Sequence, residues 1–241
     1  MTDPNHEQFS RVRRLIGEAG VKRLAEAHVV VVGLGAVGGY AVEGLARAGV
    51  GHLRLVDFDQ VTASNINRQL YALHSTVGQY KTDLACRRIL DINPACQVEP
   101  MRCFAHEESF DAILSGPPNL VIDAIDAITP KVALLAEVTR RNIPLLSSMG
   151  AALRSDPSKI HVGPLSQARI CPLAKRVRTF LRRRGASVDF PCVYSTEPIH
   201  ELPEDAIAPV AESEEPVLQR GRKRRTLGSL PTITGIFGLT L

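Results

Sequence analysis

The stretch His28-Val-Val-Val-Val-Gly33-Leu-Gly35-Ala-Val-Gly38 decides the fold. Four consecutive valines disfavour a helix and leave no wet face, so they read as a strand buried on both sides. The glycines follow at once with the spacing G-x-G-x-x-G. Gly33 permits the tight turn, Gly35 lets a phosphate approach the backbone, and Gly38 lets the next helix pack closely with its N-terminus toward that phosphate. Working outward, strand signals at 52–56, 119–123 and 143–147 alternate with helical signals at 36–48, 81–92 and 130–141. Gly49 is placed to cap the first of these helices, Asn93-Pro94 to stop the second, and Thr129-Pro130 to open the third as N-cap and first residue. This βαβ series predicts an α/β, doubly wound (Rossmann-like) parallel sheet. After Met149 shorter strands at 160–162 and 188–194 flank one helix at 172–184, giving a C-terminal mixed α+β extension. The expected organisation is an N-terminal helical arm over 1–24, a nucleotide-binding core over 25–150 and a basic C-terminal part over 151–241.

Composition bounds what such a chain can be. Its 241 residues are 44% hydrophobic and 22% charged, enough for one substantial core and incompatible with disorder as the main state. Between Val29 and Val42 no side chain is ionised, yet those 14 residues include four glycines and fall short of the roughly 20 apolar residues of a spanning helix. No membrane is expected. The first eight residues are polar and acidic, without an apolar signal region, so the expectation is a cytoplasmic protein. Five cysteines without a Cys-x-x-Cys pair argue for a reducing compartment, against a disulfide framework and against a compact zinc knuckle.

The net charge of +4 is segregated. Residues 1–150 carry 15 Lys+Arg against 16 Asp+Glu, and residues 151–241 carry 14 against 9. Seven basic and no acidic residues lie between Arg169 and Arg184; seven acidic residues and four prolines follow between Glu197 and Pro216, then Arg220-Gly-Arg222-Lys223-Arg224-Arg225. On the helix at 172–184, Leu173, Val177, Phe180 and Leu181 share one face, leaving Lys175, Arg176, Arg178, Arg182 and Arg183 on the other. A solvated helix face accounts for one such run. Two runs in one segment point to a polyanion-binding surface.

The segment after the second strand sets the reaction class. It reads Asp57-Phe-Asp59-Gln-Val-Thr-Ala-Ser64-Asn65-Ile-Asn67-Arg68-Gln69, then Val77-Gly-Gln-Tyr-Lys81. Asp57 ends that strand, where a carboxylate can accept from ribose hydroxyls. The loop leaves the carboxyl end of the sheet, so Arg68 and Lys81 can serve as counter-charges to phosphates, a pairing that suits a triphosphate better than a redox cofactor. At the end of the neighbouring strand, Asp126 is the candidate Mg²⁺ ligand, with Asp123 structural.

These residues resemble the adenylating enzymes of the ubiquitin-activating E1-like superfamily, the ThiF, MoeB and HesA group. The match runs through the glycine loop, Leu55-Val-Asp-Phe-Asp59, Ser64-Asn-Ile-Asn-Arg-Gln69, Gly78-Gln-Tyr-Lys81, Ile92-Asn-Pro94 and Asp123-Ala-Ile-Asp126. The resemblance implies ATP and Mg²⁺ as cofactors. It puts Asp57 on the ribose, Asn65, Arg68, Gln69 and Lys81 on the phosphates, and Asp126 on the metal. It also implies a homodimer in which an N-terminal arginine crosses to the partner's phosphates. Arg11 matches that arginine; Gln8 stands where a second one is common, and Arg13 and Arg14 remain alternatives. Asp189-Phe-Pro-Cys192-Val-Tyr-Ser-Thr-Glu197, the basic helix and Gly228-Ser-Leu-Pro-Thr-Ile-Thr-Gly-Ile-Phe-Gly238 are similar to the tRNA threonylcarbamoyladenosine dehydratase branch. The two Cys-x-x-Cys pairs usual in sulfur-carrier activators are absent, so no zinc is expected.

That branch implies tRNA as partner, bound by Lys175, Arg176, Arg178, Arg182, Arg183, Arg222, Lys223, Arg224 and Arg225. It leaves open a monovalent cation, Na⁺ or K⁺, near the 150–160 turn, and cysteine-desulfurase or sulfur-acceptor accessory proteins. Relatives usually continue the last helix beyond the position of Leu241, so an altered dimer contact is an expectation. Catalysis is assigned to Arg11, Arg68, Lys81 and Asp126, and Cys192 is open to two readings: a covalent participant or a buried strand cysteine between Phe190 and Tyr194. Rival readings are activation of a ubiquitin-like or sulfur-carrier C-terminus, an NAD-binding redox or sensor protein, and a nucleotide-holding scaffold without turnover.

Overall fold

The two faces of the valine run each build a separate apolar layer. In the computed structural model, which describes residues 7–199 and 227–241, β1 (His28–Val32) is an interior strand of a seven-stranded sheet. Val29 and Val31 face one way with Leu53, Leu55 and Ile122, and are covered by Val42, Ala46, Ala85 and Ile89. Val30 and Val32 face the other way with Val56 and Val121, covered by Leu134, Leu135, Val138, Val177 and Leu181. A strand covered on both faces has no polar alternation to show, which is why its sequence is unbroken valine. Each such side chain taken out of water contributes about 1.5–3 kcal/mol before chain entropy is charged against it.

The covering helices are α2 (Gly38–Ala48) and α3 (Lys81–Ile92) on the first face, α5 (Ile128–Arg140) and α6 (Pro172–Arg183) on the second. Ahead of them α1 (Ser10–Ala25) is interrupted at Gly17, whose φ of 73° breaks the helical path. The remaining strands are β2 (His52–Val56), β3 (Gln97–Met101), β4 (Leu120–Asp123), β5 (Leu145–Ser148), β6 (Ile160–Pro164) and β7 (Pro191–Ser195); α4 (Phe110–Ile113) is a single turn and α7 (Pro231–Thr240) closes the described chain. Strand order is β3-β2-β1-β4-β5-β7-β6, parallel except for the antiparallel β6–β7 pair. The doubly wound sheet is thus as expected, and the strands of the C-terminal part extend that same sheet through β5–β7 pairing.

Several local expectations shift. Gly49 caps α2 in the left-handed region, with φ 92°, as its position required. The third helix begins at Ile128 after Ala127, so Thr129 is not its N-cap and Pro130 is the third helical residue. Proline costs nothing there, because the first-turn amides have no intrahelical acceptor. β3 escaped the sequence reading: its Gln97, Glu99 and Pro100 give no apolar run, since it is an outer strand. On α6 the buried stripe is Ala174, Val177 and Leu181. Phe180 is 36% exposed, and its ring lies under the Arg183 guanidinium, 5.7 Å from the centroid.

Candidate nucleotide and substrate site

The glycine loop is built so that only its middle remains open. The Gly33 amide donates to Val56 O at 2.8 Å and its φ is 94°. A Cβ on Gly38 would stand 1.7 Å from Gly33 O, so the helix start can approach the turn only without a side chain. A Cβ on Gly35 would meet nothing nearer than Gln69 Nε2 at 3.9 Å. That space, over the N-terminus of α2, is where a phosphate fits.

Asp57 leaves the end of β2 with little exposure and accepts from Leu34 N at 2.6 Å and Asp59 N at 2.8 Å. Burial pushes its carboxyl up from the usual carboxylate range, while Lys81 and the two amides pull the other way. The carboxylate ties the glycine loop to the loop after β2, and each oxygen keeps a lone pair for a hydroxyl donor. Lys81 is the first residue of α3; its Nζ lies 2.8 Å from Asp59 Oδ2, and its amide donates to Asp59 O. Asn65 is buried at the end of a 3₁₀ turn, accepting from Thr62 N at 3.3 Å, and its carbonyl receives the amides of Arg68 and Gln69. Arg68 donates to Ser64 O and Asn67 Oδ1, both at 2.9 Å. Asp57, Asn65, Arg68, Gln69 and Lys81 therefore all lie around the carboxyl ends of β1 and β2.

β4 pairs with β1, which carries its end to the same edge. Asp123 is wholly buried: Oδ2 lies 2.6 Å from Lys131 Nζ and accepts from Ser147 Oγ at 2.5 Å, and Oδ1 accepts from Ile125 N at 3.1 Å. Lys131, also wholly buried, donates to Ile125 O at 2.8 Å. This knot fixes the turn that presents the exposed Asp126. Sequence reasoning named Asp123 as structural but missed Lys131 and Ser147. The available signal was a lysine in the first turn followed by the apolar run Val132-Ala-Leu-Leu-Ala136.

Other assigned residues stand apart. Arg11 is exposed on α1. The neighbouring Gln8 donates to Ile92 O, and Phe9 packs on Gly49, at the ends of α3 and α2 remote from the glycine loop. Within one chain Arg11 does not join the nucleotide residues. Cys192, on β7, has no exposed surface, and burial, with a further contribution from Cys171, pushes its thiol up to about 12. It is a buried strand cysteine in this conformation, without the thiolate character a nucleophile needs. Lys175, Arg176, Arg182 and Arg183 are exposed along α6. Arg178 differs: it is half-buried, and its Nη1 donates to Leu165 O at 3.1 Å and Ala168 O at 2.6 Å. Arg222, Lys223, Arg224 and Arg225 lie outside the described residues.

A doubly wound sheet whose first βα turn, second-strand carboxylate and basic loop converge on one edge defines a nucleotide-binding protein of the E1-like kind. The ThiF family model matches residues 9–240, and the chain belongs to that family. Among its relatives, the tRNA threonylcarbamoyladenosine dehydratase of Bacillus subtilis is 40% identical over 229 residues, spanning 95% of this chain and 90% of the relative. The Escherichia coli dehydratase is 37% identical over 204 residues, 82% of this chain and 76% of the relative. The crystal structure of the E. coli enzyme with ATP superposes with a TM-score of 0.84 at 33% identity, covering 98% of this chain and 91% of that one; its AMP complex gives 0.85 with the same coverage. The molybdopterin-synthase adenylyltransferase of Salmonella typhimurium is 37% identical over 137 residues, 57% of this chain. No helix among the described residues is long and apolar enough to cross a membrane.

Proposed function

We propose that this protein carries out ATP-dependent dehydration, with cyclisation, of N6-threonylcarbamoyladenosine in tRNA, by adenylating the nucleoside's carboxylate. The observation that carries the reading is the convergence of the open Gly35 backbone, Asp57, Arg68, Gln69, Lys81 and Asp126 on one sheet edge, in a chain similar along nearly its whole length to dehydratases of that name. Asp57 accepts from the ribose hydroxyls. The carboxylate attacks the α-phosphorus in line and pyrophosphate departs. Lys81 and Arg68, already at the edge, swing from Asp59 and Ser64 onto phosphate oxygens, and the partner's Arg11 completes the cationic shell of a homodimer. Asp126 is the residue that would hold Mg²⁺, which would supply neutralising charge to the phosphates. Fixed cations aimed at charge that grows in the transition state are the main source of rate here, each worth about 3–4 kcal/mol.

The ring then closes. A nitrogen or oxygen of the threonylcarbamoyl-adenosine group attacks the activated carbonyl, AMP leaves with the carboxylate oxygen, and the net loss is one water. No protein nucleophile is required, which agrees with the burial of Cys192. The exposed cations of α6, with the 222–225 run, neutralise tRNA phosphates and give mostly shape-directed affinity. The setting is the cytoplasm, where tRNA and ATP meet.

The test is nucleoside mass spectrometry on tRNA bearing threonylcarbamoyladenosine, incubated with the protein and Mg-ATP beside a Lys81→Ala control. Loss of one water with the unaltered protein alone is the expected result. An unchanged nucleoside mass, with pyrophosphate released only on adding a carrier protein, overturns the reading in favour of carrier activation.

A further inference from the structure

At the opposite end of the sheet, three side chains from adjacent strands converge. His28 opens β1 and His52 opens β2; the two are in register, so their rings lie side by side on the same face, stacked at 3.8 Å between centroids and 7° between planes. Two residues along, Arg54 of β2 is in register with Glu99 of β3, which brings Glu99 onto that face beside His52. One ligand-capable atom from each of His28, His52 and Glu99 lies within 4.8 Å of the others.

The hydrogen bonds set the imidazole tautomers. His28 Nδ1 lies 3.0 Å from Gly116 O, an acceptor only, so Nδ1 carries the proton and Nε2 carries the lone pair. That Nε2 is buried and has no hydrogen-bond partner. A buried acceptor without a donor costs about 1–3 kcal/mol, and a histidine whose other nitrogen donates to a backbone carbonyl is arranged as metal-binding histidines are.

His52 Nε2 is 2.9 Å from Glu99 Oε1, and Glu99 Oε2 is held by Arg54 Nε at 2.7 Å. Arg54 Nη1 is anchored on the carbonyls of Ile113 and Ser115, so its charge is fixed to one side of the carboxylate. His52 and Glu99 are part-exposed, so an ion has access from solvent.

We propose that His28, His52 and Glu99 form a binding site for a divalent transition-metal ion, with Zn²⁺ favoured by the donor set. Two imidazoles and one carboxylate leave a fourth position for water in a tetrahedral shell. Metal–nitrogen bonds of about 2.0–2.1 Å require the stack to open by a turn of the His52 ring, so that both lone pairs meet the ion in their own ring planes. The Arg54 charge lowers affinity without removing a ligand: when His52 turns away, Glu99 Oε1 accepts only from the Gln97 side-chain amide, at 3.2 Å, and keeps a lone pair for the ion. The site lies about 15 Å along the strands from the glycine loop, and a cysteine count cannot detect it. It is separate from the nucleotide chemistry.

The test is isothermal titration of the metal-stripped full chain with Zn²⁺, beside His28→Phe, His52→Phe and the double variant, with circular dichroism to verify folding. The expected result is one saturable Zn²⁺ per chain, weakened at least tenfold in each single variant, with ATP–pyrophosphate exchange unaltered. Co²⁺ added to the unaltered protein provides a reading that needs no variant: tetrahedral d–d bands without a sulfur-to-cobalt charge-transfer band support the histidine site. Absence of saturable binding, undiminished binding in the double variant, or a thiolate band each overturns it.

Discussion

Replacing Lys131 by methionine isolates the buried pair at the end of β4. The side chains are similar in length, so packing is largely retained while one charge is removed. Asp123 then keeps Ser147 Oγ at 2.5 Å and Ile125 N at 3.1 Å but loses the ammonium at 2.6 Å. Both groups are wholly shielded from water, so the stranded carboxylate cannot be rescued by solvent. Breaking one side of such a pair costs about 3–5 kcal/mol. At about 2–4 °C per kcal/mol for a chain of this size, the melting temperature should fall by on the order of 10 °C. Removing both charges, in Asp123→Leu with Lys131→Met, should recover most of that loss, because the penalty lies in the uncompensated charge and not in the absent attraction. Urea unfolding followed by circular dichroism measures both, with the slope against urea unchanged if only stability has moved. A single variant that loses less than about 1 kcal/mol, or a double variant as unstable as the sum of its parts, refutes the reasoning.

Three further outcomes are expected. Cys192 should resist iodoacetamide in the folded protein and react after urea is added, and Cys192→Ala should keep dehydratase turnover at a stability cost of about 1 kcal/mol; abolished turnover in a folded variant would restore the covalent reading. Charge removal at Lys175, Arg176, Arg182 or Arg183 should weaken tRNA binding and flatten its dependence on salt by roughly 0.7–0.9 for each phosphate no longer neutralised, whereas Arg178→Ala should lower the melting temperature, since its guanidinium holds two carbonyls. The carboxyl of Glu137 is drawn down to about 2, chiefly by Arg140 and then by Arg141 against the opposing effect of burial. Its stabilisation is complete above the ordinary value of 4.5 and is lost as pH falls toward 2; Glu137→Gln should therefore be less stable at neutral pH and indistinguishable at about pH 2 in acid-unfolding curves.

The central strands were legible because burial on both faces leaves a run with no second reading, and the glycines follow it at a spacing that strand-to-helix geometry demands. β3 was not legible: an outer strand needs only one covered neighbour, and Glu99 and Pro100 look like loop. The nucleotide residues could be read as a set because they lie on two consecutive segments leaving one sheet edge. Lys131 could not, since its partner Asp123 sits across a turn, and a lysine in a helix reads as solvated by default. Phe180 and Arg178 exchanged their expected environments for a related reason. A helical wheel gives the angle of each side chain but not the depth of the surface it meets, and here Ala174 lies deeper than Phe180.

The position of β7 between β5 and β6 bears on how the chain is made. Strands β1 to β5 can pair with one another as they leave the ribosome, but β6 has no neighbour in the sheet until residues 191–195 have also emerged. During that interval the outer edge of β5 and the inner edge of β6 both present unpaired amides and carbonyls, the kind of open edge that recruits strands from other chains. The newborn protein is therefore most vulnerable to misassembly while α6 is being synthesised, and β7 closes that window by inserting itself between the two edges.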